Sequence, residues 1–409
     1  MTLLKRWQQK PLLNALGTRR IVILAGARQC GKTTLTKQLD SETVIYRSLD
    51  DNALLKVAID DPQGFVKHNK KTMIIDEIQR APELLTAIKK AVDEDTRYGQ
   101  YLITGSANIQ TLPTVKESLA GRVRKIRLRP FTQGELLKKE PRFFERVLNQ
   151  DFADNKSGYD KSEVLKVAFT GGYPEPLTMN DKERKLWYRD YASTLIENDL
   201  KDVANIRRQD SMKDLLAIMA AFSSKLIDKS EITRNFSIAK TTLSDYINAL
   251  ESLYLIERVN PYLKSDYERI NKQSKTFMTD TGLMSTVLNW KLDEVILNSD
   301  KSGKLMETFV FNQLSAQIDL ASEDFNLYHY RDREKREIDF IVECDDETII
   351  AIEVKAGSSL SNDSAKHLKW FKNNIAKDKK FIGIILYTGE NAIPFGENLF
   401  AVPMNNLWD

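Results

Sequence analysis

The chain has 409 residues, enough at roughly 150 per domain for two to three domains with sizeable cores, which excludes a disulfide-stapled miniprotein. Hydrophobic residues make up 42% and charged residues 29%, with only 17 Gly and 11 Pro, so collagen-like and wholly disordered classes are excluded as well. Lys plus Arg number 61 and Asp plus Glu 58; at a formal +3, any surface that attracts nucleic acid or anionic lipid must be local.

The longest apolar runs, Ile21–Ala25 and Phe381–Tyr387, fall far short of the roughly 20 residues that cross a bilayer. The opening stretch MTLLKRWQQKPLLNALGTRR lacks the apolar core of a signal peptide, and Cys30 and Cys344 make a poor disulfide framework. These features predict a cytoplasmic protein with no membrane partner.

From Arg20 to Arg129 the β-rich runs IVILA, TVIYRSL, TMIID, QYLITG and VRKIRLR alternate with helical stretches such as LTKQLD and PELLTAIKKAVD. That rhythm predicts a mostly parallel α/β sheet. Residues 135–210 read as helical, interrupted by the polar stretch QDFADNKSGYDKSE and the turn Gly171-Gly172-Tyr173-Pro174. Over 211–263, MKDLLAIMAAFSSKL, EITRNFSI and KTTLSDYINALESLYLIERV read as three helices ending in a strand, the pattern of a winged helix-turn-helix. From Lys304 the order is helix, three strands, helix, strand, with Asp345-Asp346 as the turn between the second and third strands. The predicted units are an α/β core at 1–135, a helical lid or connector at 136–210, a winged helix at 211–265 and a second α/β domain at 266–409.

Gly26-Ala-Arg-Gln-Cys-Gly31-Lys32-Thr33 fits GxxxxGK[ST] and lies between an apolar strand and a helix, where a phosphate loop must lie. Backbone N–H groups of that turn can wrap a β-phosphate, Lys32 can neutralise β/γ charge, and the Thr33 hydroxyl can ligate Mg²⁺. Met73-Ile74-Ile75-Asp76-Glu77 is a second strand ending in acid; Asp76 would hold the Mg²⁺ and Glu77 would orient and polarise the attacking water. The next strand ends in Gly105-Ser106, and Ser106, or alternatively Thr104, is placed to hydrogen-bond that water. Beyond it, Lys125, Arg127 and Arg129 alternate with Ile126 and Leu128, which predicts cations along the exposed face of a strand. Such a face is either simply solvated, or Arg122 or Arg124 reaches the γ-phosphate held by a neighbouring subunit.

The order GARQCGKTT, MIIDEIQR, YLITGS, ESLAGRV, then GGYPEP, TDTGL and EIDFIVE…AIEVKA resembles the prokaryotic AAA+-type P-loop ATPases that carry a C-terminal domain of unknown function. The resemblance covers nearly the whole chain. It implies an AAA+-type P-loop core, a helical region, a winged helix and a restriction-endonuclase-like α/β domain, acting as an oligomer for which a hexamer is one form. It implies nucleotide contacts from Gly26, Arg28, Gln29, Cys30, Gly31, Lys32, Thr33, Thr34 and Asp76, with ATP and Mg as cofactors. Glu77, Ser106 as sensor and Arg122 as the arginine acting in trans are the implied catalytic set. Ile196-Glu197-Asn198-Asp199 departs from the family, which commonly has a basic residue just before the Asp, so no second sensor arginine is assigned.

The final domain carries a second constellation: Glu307 on a helix, Asp339 on one strand, and Glu353 and Lys355 two apart, hence on one face, of the next. With that topology the set resembles the PD-(D/E)xK nucleases, where carboxylates hold Mg²⁺ and the lysine assists the attacking water. The alternatives are an active nuclease and an idle nuclease-like fold used for binding or assembly. The recognition-helix segment, with Lys240, Thr241, Thr242, Ser244 and Asn248 set against Asp245 and Glu251, reads equally as a DNA contact or as a purely structural or subunit-contacting element. The predicted function is therefore a Mg-dependent ATPase that binds, remodels or cuts DNA, with an ATP-gated switch acting on a protein partner and an ATP-controlled DNA-binding regulator as the alternatives.

Overall fold

A computed structural model describes residues 3–39, 42–105, 121–152, 156–199, 209–227, 229–236, 239–263, 273–321 and 325–408. Strands β1 (Ile21–Ala25), β2 (Val44–Ser48), β3 (Thr72–Asp76), β4 (Tyr101–Gly105) and β5 (Val123–Arg127) form a parallel sheet in the order β2-β3-β4-β1-β5. All five residues of β1 are buried, as a central parallel strand covered on both faces requires, and IVILA contains no polar side chain to oppose it. Register aligns the strand ends: Ala25 lies beside Gly105 and Arg127, and Ser48 beside Asp76. The segments that leave β1, β3 and β4 therefore emerge at one edge, where open α/β sheets place their ligands.

The later strands are β6 (Lys225–Leu226), β7 (Ile256–Pro261), β8 (Lys275–Met278), β9 (Phe325–Arg331), β10 (Glu337–Cys344), β11 (Ile349–Lys355), β12 (Phe381–Tyr387), β13 (Ile393–Gly396) and β14 (Leu399–Pro403). Among the described residues they form one sheet, β13-β14-β12-β11-β10-β9-β7-β8-β6. Three helices, Gln209–Ala221, Lys229–Phe236 and Lys240–Ser252, precede β7, and β8 pairs antiparallel to β7 with Ile256 opposite Met278. The sheet runs across the expected boundary at residue 265, because β7 also pairs with β9 at Asn260 and Pro261. Asn298 caps the long helix Ser299–Leu320 by accepting from the Lys301 N–H at 3.0 Å. The helix buries Leu305, Met306, Val310, Phe311 and Leu314, and its Phe311 stacks on Phe277 of β8 at 4.4 Å. No helix among the described residues is long and apolar enough to cross a membrane.

The expectation of an exposed cationic strand face is corrected. Arg129 is only 6% exposed and grips Glu257 of β7 at 2.8 Å and Asp319 of the long helix at 2.6 Å, while Arg127 reaches Glu257 at 2.8 Å. Period-2 alternation identified the right face, but the C-terminal half of the chain covers it. Burial pushes the Glu257 carboxyl up, yet Arg127 and Arg129 outweigh burial and hold it down at about 2. An acid held below its ordinary 4.5 stabilises the fold fully above that pH and loses its contribution as pH falls toward 2. Glu257→Gln is therefore expected to cost about 3 kcal/mol at neutral pH by stranding buried guanidinium groups. In urea unfolding, the gap from wild type should shrink steadily on acidification; a gap independent of pH would refute the assignment.

Candidate functional site

Gly31 holds φ at 101°, a conformation open to glycine, and so lets the chain turn from β1 into the helix Lys32–Thr36. Lys32 is 5% exposed, and its ammonium donates to the carbonyls of Gly26 and Ala27, both at 2.9 Å, so it lies across the loop. Thr33 donates its hydroxyl to Asp76 at 3.0 Å, joining the loop to the end of β3. Thr104, at the end of β4, and Tyr46, on β2, donate to the same carboxylate. Burial and the neighbouring Asp76 push the Tyr46 phenol well above its ordinary 10.0, which keeps it a donor. Thr33 and Asp76 are hard oxygen donors placed side by side, and they fit a Mg²⁺ that takes its remaining ligands from phosphate and water.

Glu77 follows in the left-handed region at φ 59°, with its N–H on the Thr104 hydroxyl at 3.3 Å and its carboxylate accepting from Gln79. Arg28, Gln29, Gly31, Lys32, Thr33, Thr34 and Glu77 line an open cleft of about 970 Å³, together with Arg80, Pro174 and Glu175. A nucleoside triphosphate fits that volume. Cys30 does not line it: its side chain is fully buried, with the thiol against the Leu128 carbonyl at 3.4 Å, so its nucleotide contact is limited to backbone. Arg6, missed in the sequence, braces the loop from below, with its guanidinium on the Cys30 carbonyl at 2.9 Å, the Arg129 carbonyl at 2.6 Å and Glu135 at 3.0 Å. Tyr46 was missed for the same reason, since nothing near it in the chain marks it as a partner of Asp76. Ser106 lies outside the described residues.

Residues 18–137 match the family model of an AAA domain. This segment is similar to AAA domains. Residues 161–294 and 302–407 match two families described as domains of unknown function, DUF8612 and DUF4143. An uncharacterized protein of Mycobacterium tuberculosis is 26% identical over 397 residues, covering 97% of this chain and 82% of its own. An uncharacterized protein of Methanocaldococcus jannaschii is 24% identical over 408 residues, covering 90% and 83%. Among solved structures, AMPPCP-bound DnaA from Aquifex aeolicus aligns at 15% identity over 59% of this chain and 85% of that one, with a TM-score of 0.29. The Thermotoga maritima RuvB Holliday junction branch migration motor aligns at 17% identity over 63% and 90%, with a TM-score of 0.28. At such scores neither carries an argument; the fold rests on the strand order and the family match.

Arg122 stands at the opposite edge of the five-stranded sheet, just before β5, with its carbonyl accepting from Ile21 at 3.2 Å and its guanidinium on Asp93 at 2.6 Å. The five residues of β1 separate it from the phosphate loop by about 16 Å, so one chain does not bring Arg122 to its own Lys32, Thr33, Asp76 and Glu77.

The segment with the five-stranded sheet is tied to the rest of the chain beside the cleft. Tyr191, on the helix Asp181–Thr194, donates to the Arg28 carbonyl at 3.0 Å and meets the Tyr173 hydroxyl at 2.9 Å. Next to Tyr173, the Gly172 N–H donates to Asp280 at 2.7 Å. Asp280 also caps the helix Thr281–Val287 through the Leu283 N–H at 2.8 Å. Gly171 holds φ at 78°, and a Cβ there would lie 2.6 Å from the Asp280 carboxylate. GGYPEP and TDTGL are thus two halves of one contact.

The second constellation is also assembled, but around a residue that the sequence did not single out. Lys275 of β8 is 1% exposed and places its ammonium 2.8 Å from Glu307, 2.6 Å from Glu337 and 3.6 Å from Asp339. Glu353 pairs with Lys355 at 3.1 Å, and Asp339 accepts from the Val354 N–H at 2.8 Å. Burial lowers the Lys275 pKa, but Glu307, Asp339 and Glu337 outweigh it and hold the ammonium charged. Burial raises Glu307, against Lys275, and raises Glu353, with help from Asp339. Of the expected metal ligands, Glu307 and Asp339 thus meet the Lys275 ammonium, and Glu353 meets Lys355. The group that gathers the acids is a lysine.

Proposed function

We propose that the chain is a Mg²⁺-dependent ATP hydrolase that works in the cytoplasm as a homo-oligomer and couples turnover to binding or remodelling of DNA. The observation that carries the reading is the Thr33–Asp76 hydrogen bond of 3.0 Å beside Lys32 and Glu77, at one lip of a triphosphate-sized cleft. Bound there, Mg²⁺ would supply charge neutralisation at the β- and γ-phosphates. Lys32 exchanges its two carbonyl partners for phosphate oxygens, and Glu77 orients and polarises the attacking water. Ser106 senses the γ-phosphate, and Arg122 of one subunit serves the cleft of the next, which is why the oligomer is needed. The Arg28–Tyr191–Tyr173 hydrogen bonds, continued by Gly172 and Asp280, support a route from nucleotide to the C-terminal half.

For the output, the helix Lys240–Ser252 exposes Lys240, Thr241 and Asn248. A second reading, an ATP-gated switch acting on a protein partner, is favoured by Asp245 on the same exposed face and by the Arg258–Glu251 pair beside it. Cleavage is omitted from the reading because Lys275 sits among the acids. Phosphate release measured with duplex, single-stranded and branched DNA separates the two readings. A several-fold rise with one of them is expected, and no rise with any transfers the function to a protein partner.

A further inference from the structure

We infer that Lys275 is a built-in counter-ion standing where a nuclease-like pocket would hold its divalent cation, and that it makes the pocket a metal-independent lock tying β8 to the long helix and β10. Position is the first argument. The ammonium lies within 3.6 Å of Glu307, Glu337 and Asp339, so it fills the space between the acids of the long helix and of β10. Mg²⁺ needs oxygen ligands at about 2.0–2.1 Å in near-octahedral order, and it cannot share that space with a second positive charge.

Charge is the second argument. Four carboxylates, Glu307, Glu337, Asp339 and Glu353, face three cations, since Lys355 pairs with Glu353 at 3.1 Å and Arg331 with Glu337 at 3.3 Å. The nearby imidazole of His329 adds no charge, because burial, with Lys275, lowers it to about 4.

Origin is the third. Lys275 belongs to β8, which pairs with β7 and β6, whereas its carboxylate partners sit on the long helix and β10. A lysine only 1% exposed would be costly if unpaired; paired with three acids, it ties β8 to the long helix and β10. Just beyond the other end of β8, Asp280 grips Gly172, so the strand is pinned at both ends.

The test uses the full chain, free of nucleotide, with Mn²⁺ as the probe and free Mn²⁺ followed by electron paramagnetic resonance. Wild type and Asp339→Asn are expected to take up Mn²⁺ equally, because the pocket holds none. Lys275→Met is expected to gain one site per chain, which Lys275→Met with Asp339→Asn loses, and to melt several degrees lower without Mn²⁺. Uptake by wild type that Asp339→Asn abolishes overturns the inference, as does a folded Lys275→Met that gains no site or melts at the wild-type temperature. Should Lys275→Met fail to fold, the lock is supported and the comparison of wild type with Asp339→Asn still decides the metal.

Discussion

Glu77→Gln is expected to bind ATP as wild type does and to lose turnover by about 10²–10⁴, the usual worth of a residue that polarises the attacking nucleophile. The amide keeps the shape of the side chain beside Gln79 and the Thr104–Glu77 backbone contact, but it cannot draw a proton toward itself. Lys32→Ala is expected to fail earlier, at binding. Lys32 is the cation that the fold holds across the phosphate loop, 2.9 Å from two carbonyls that it can trade for phosphate oxygens. Fluorescent-nucleotide titration and phosphate release on both variants separate the two defects. Hydrolysis by Glu77→Gln at the wild-type rate would remove Glu77 from its role, and tight ATP binding by Lys32→Ala would remove Lys32 from its own.

Arg122→Ala is expected to bind ATP normally and to lose turnover by about 10³ or more, because an arginine delivered to the γ-phosphate neutralises charge that develops only in the transition state. Within its own chain Arg122 rests on Asp93 at 2.6 Å, at the sheet edge away from the cleft, so its service requires a neighbouring subunit. Mixing Arg122→Ala with Glu77→Gln then restores part of the activity, since some interfaces pair an intact arginine with an intact glutamate. Mixed oligomers that form and show no recovery would exclude the trans role.

The phosphate loop was legible in the sequence because its parts are local: a buried strand, a glycine at a turn and a Lys-Thr pair opening a helix are contiguous, and backbone geometry carries them to the same place in any parallel sheet. Asp76 and Glu77 were legible by combination, since an acid at the end of a second parallel strand emerges at the edge where the loop lies. The helix–strand order after residue 211 was readable from periodicity, and so was the side of β10 and β11 on which Asp339, Glu353 and Lys355 fall. Tertiary structure decided the partnerships that join distant parts of the chain. Tyr46 shares Asp76 with Thr33 and Thr104, Arg6 carries the phosphate loop on its guanidinium, and Arg129 disappears beneath Glu257 and Asp319. Periodicity states which face a side chain occupies and says nothing about what covers that face. GGYPEP and TDTGL stood out as motifs, but only the fold shows that Gly172 and Asp280 meet. The same holds at the acidic cluster. Periodicity puts carboxylates on one face, but the ammonium beside them arrives on a strand from another part of the sheet, as Lys275. Coulomb energy depends on distance in space, and spacing along the chain does not encode the approach of a charge from elsewhere in the fold.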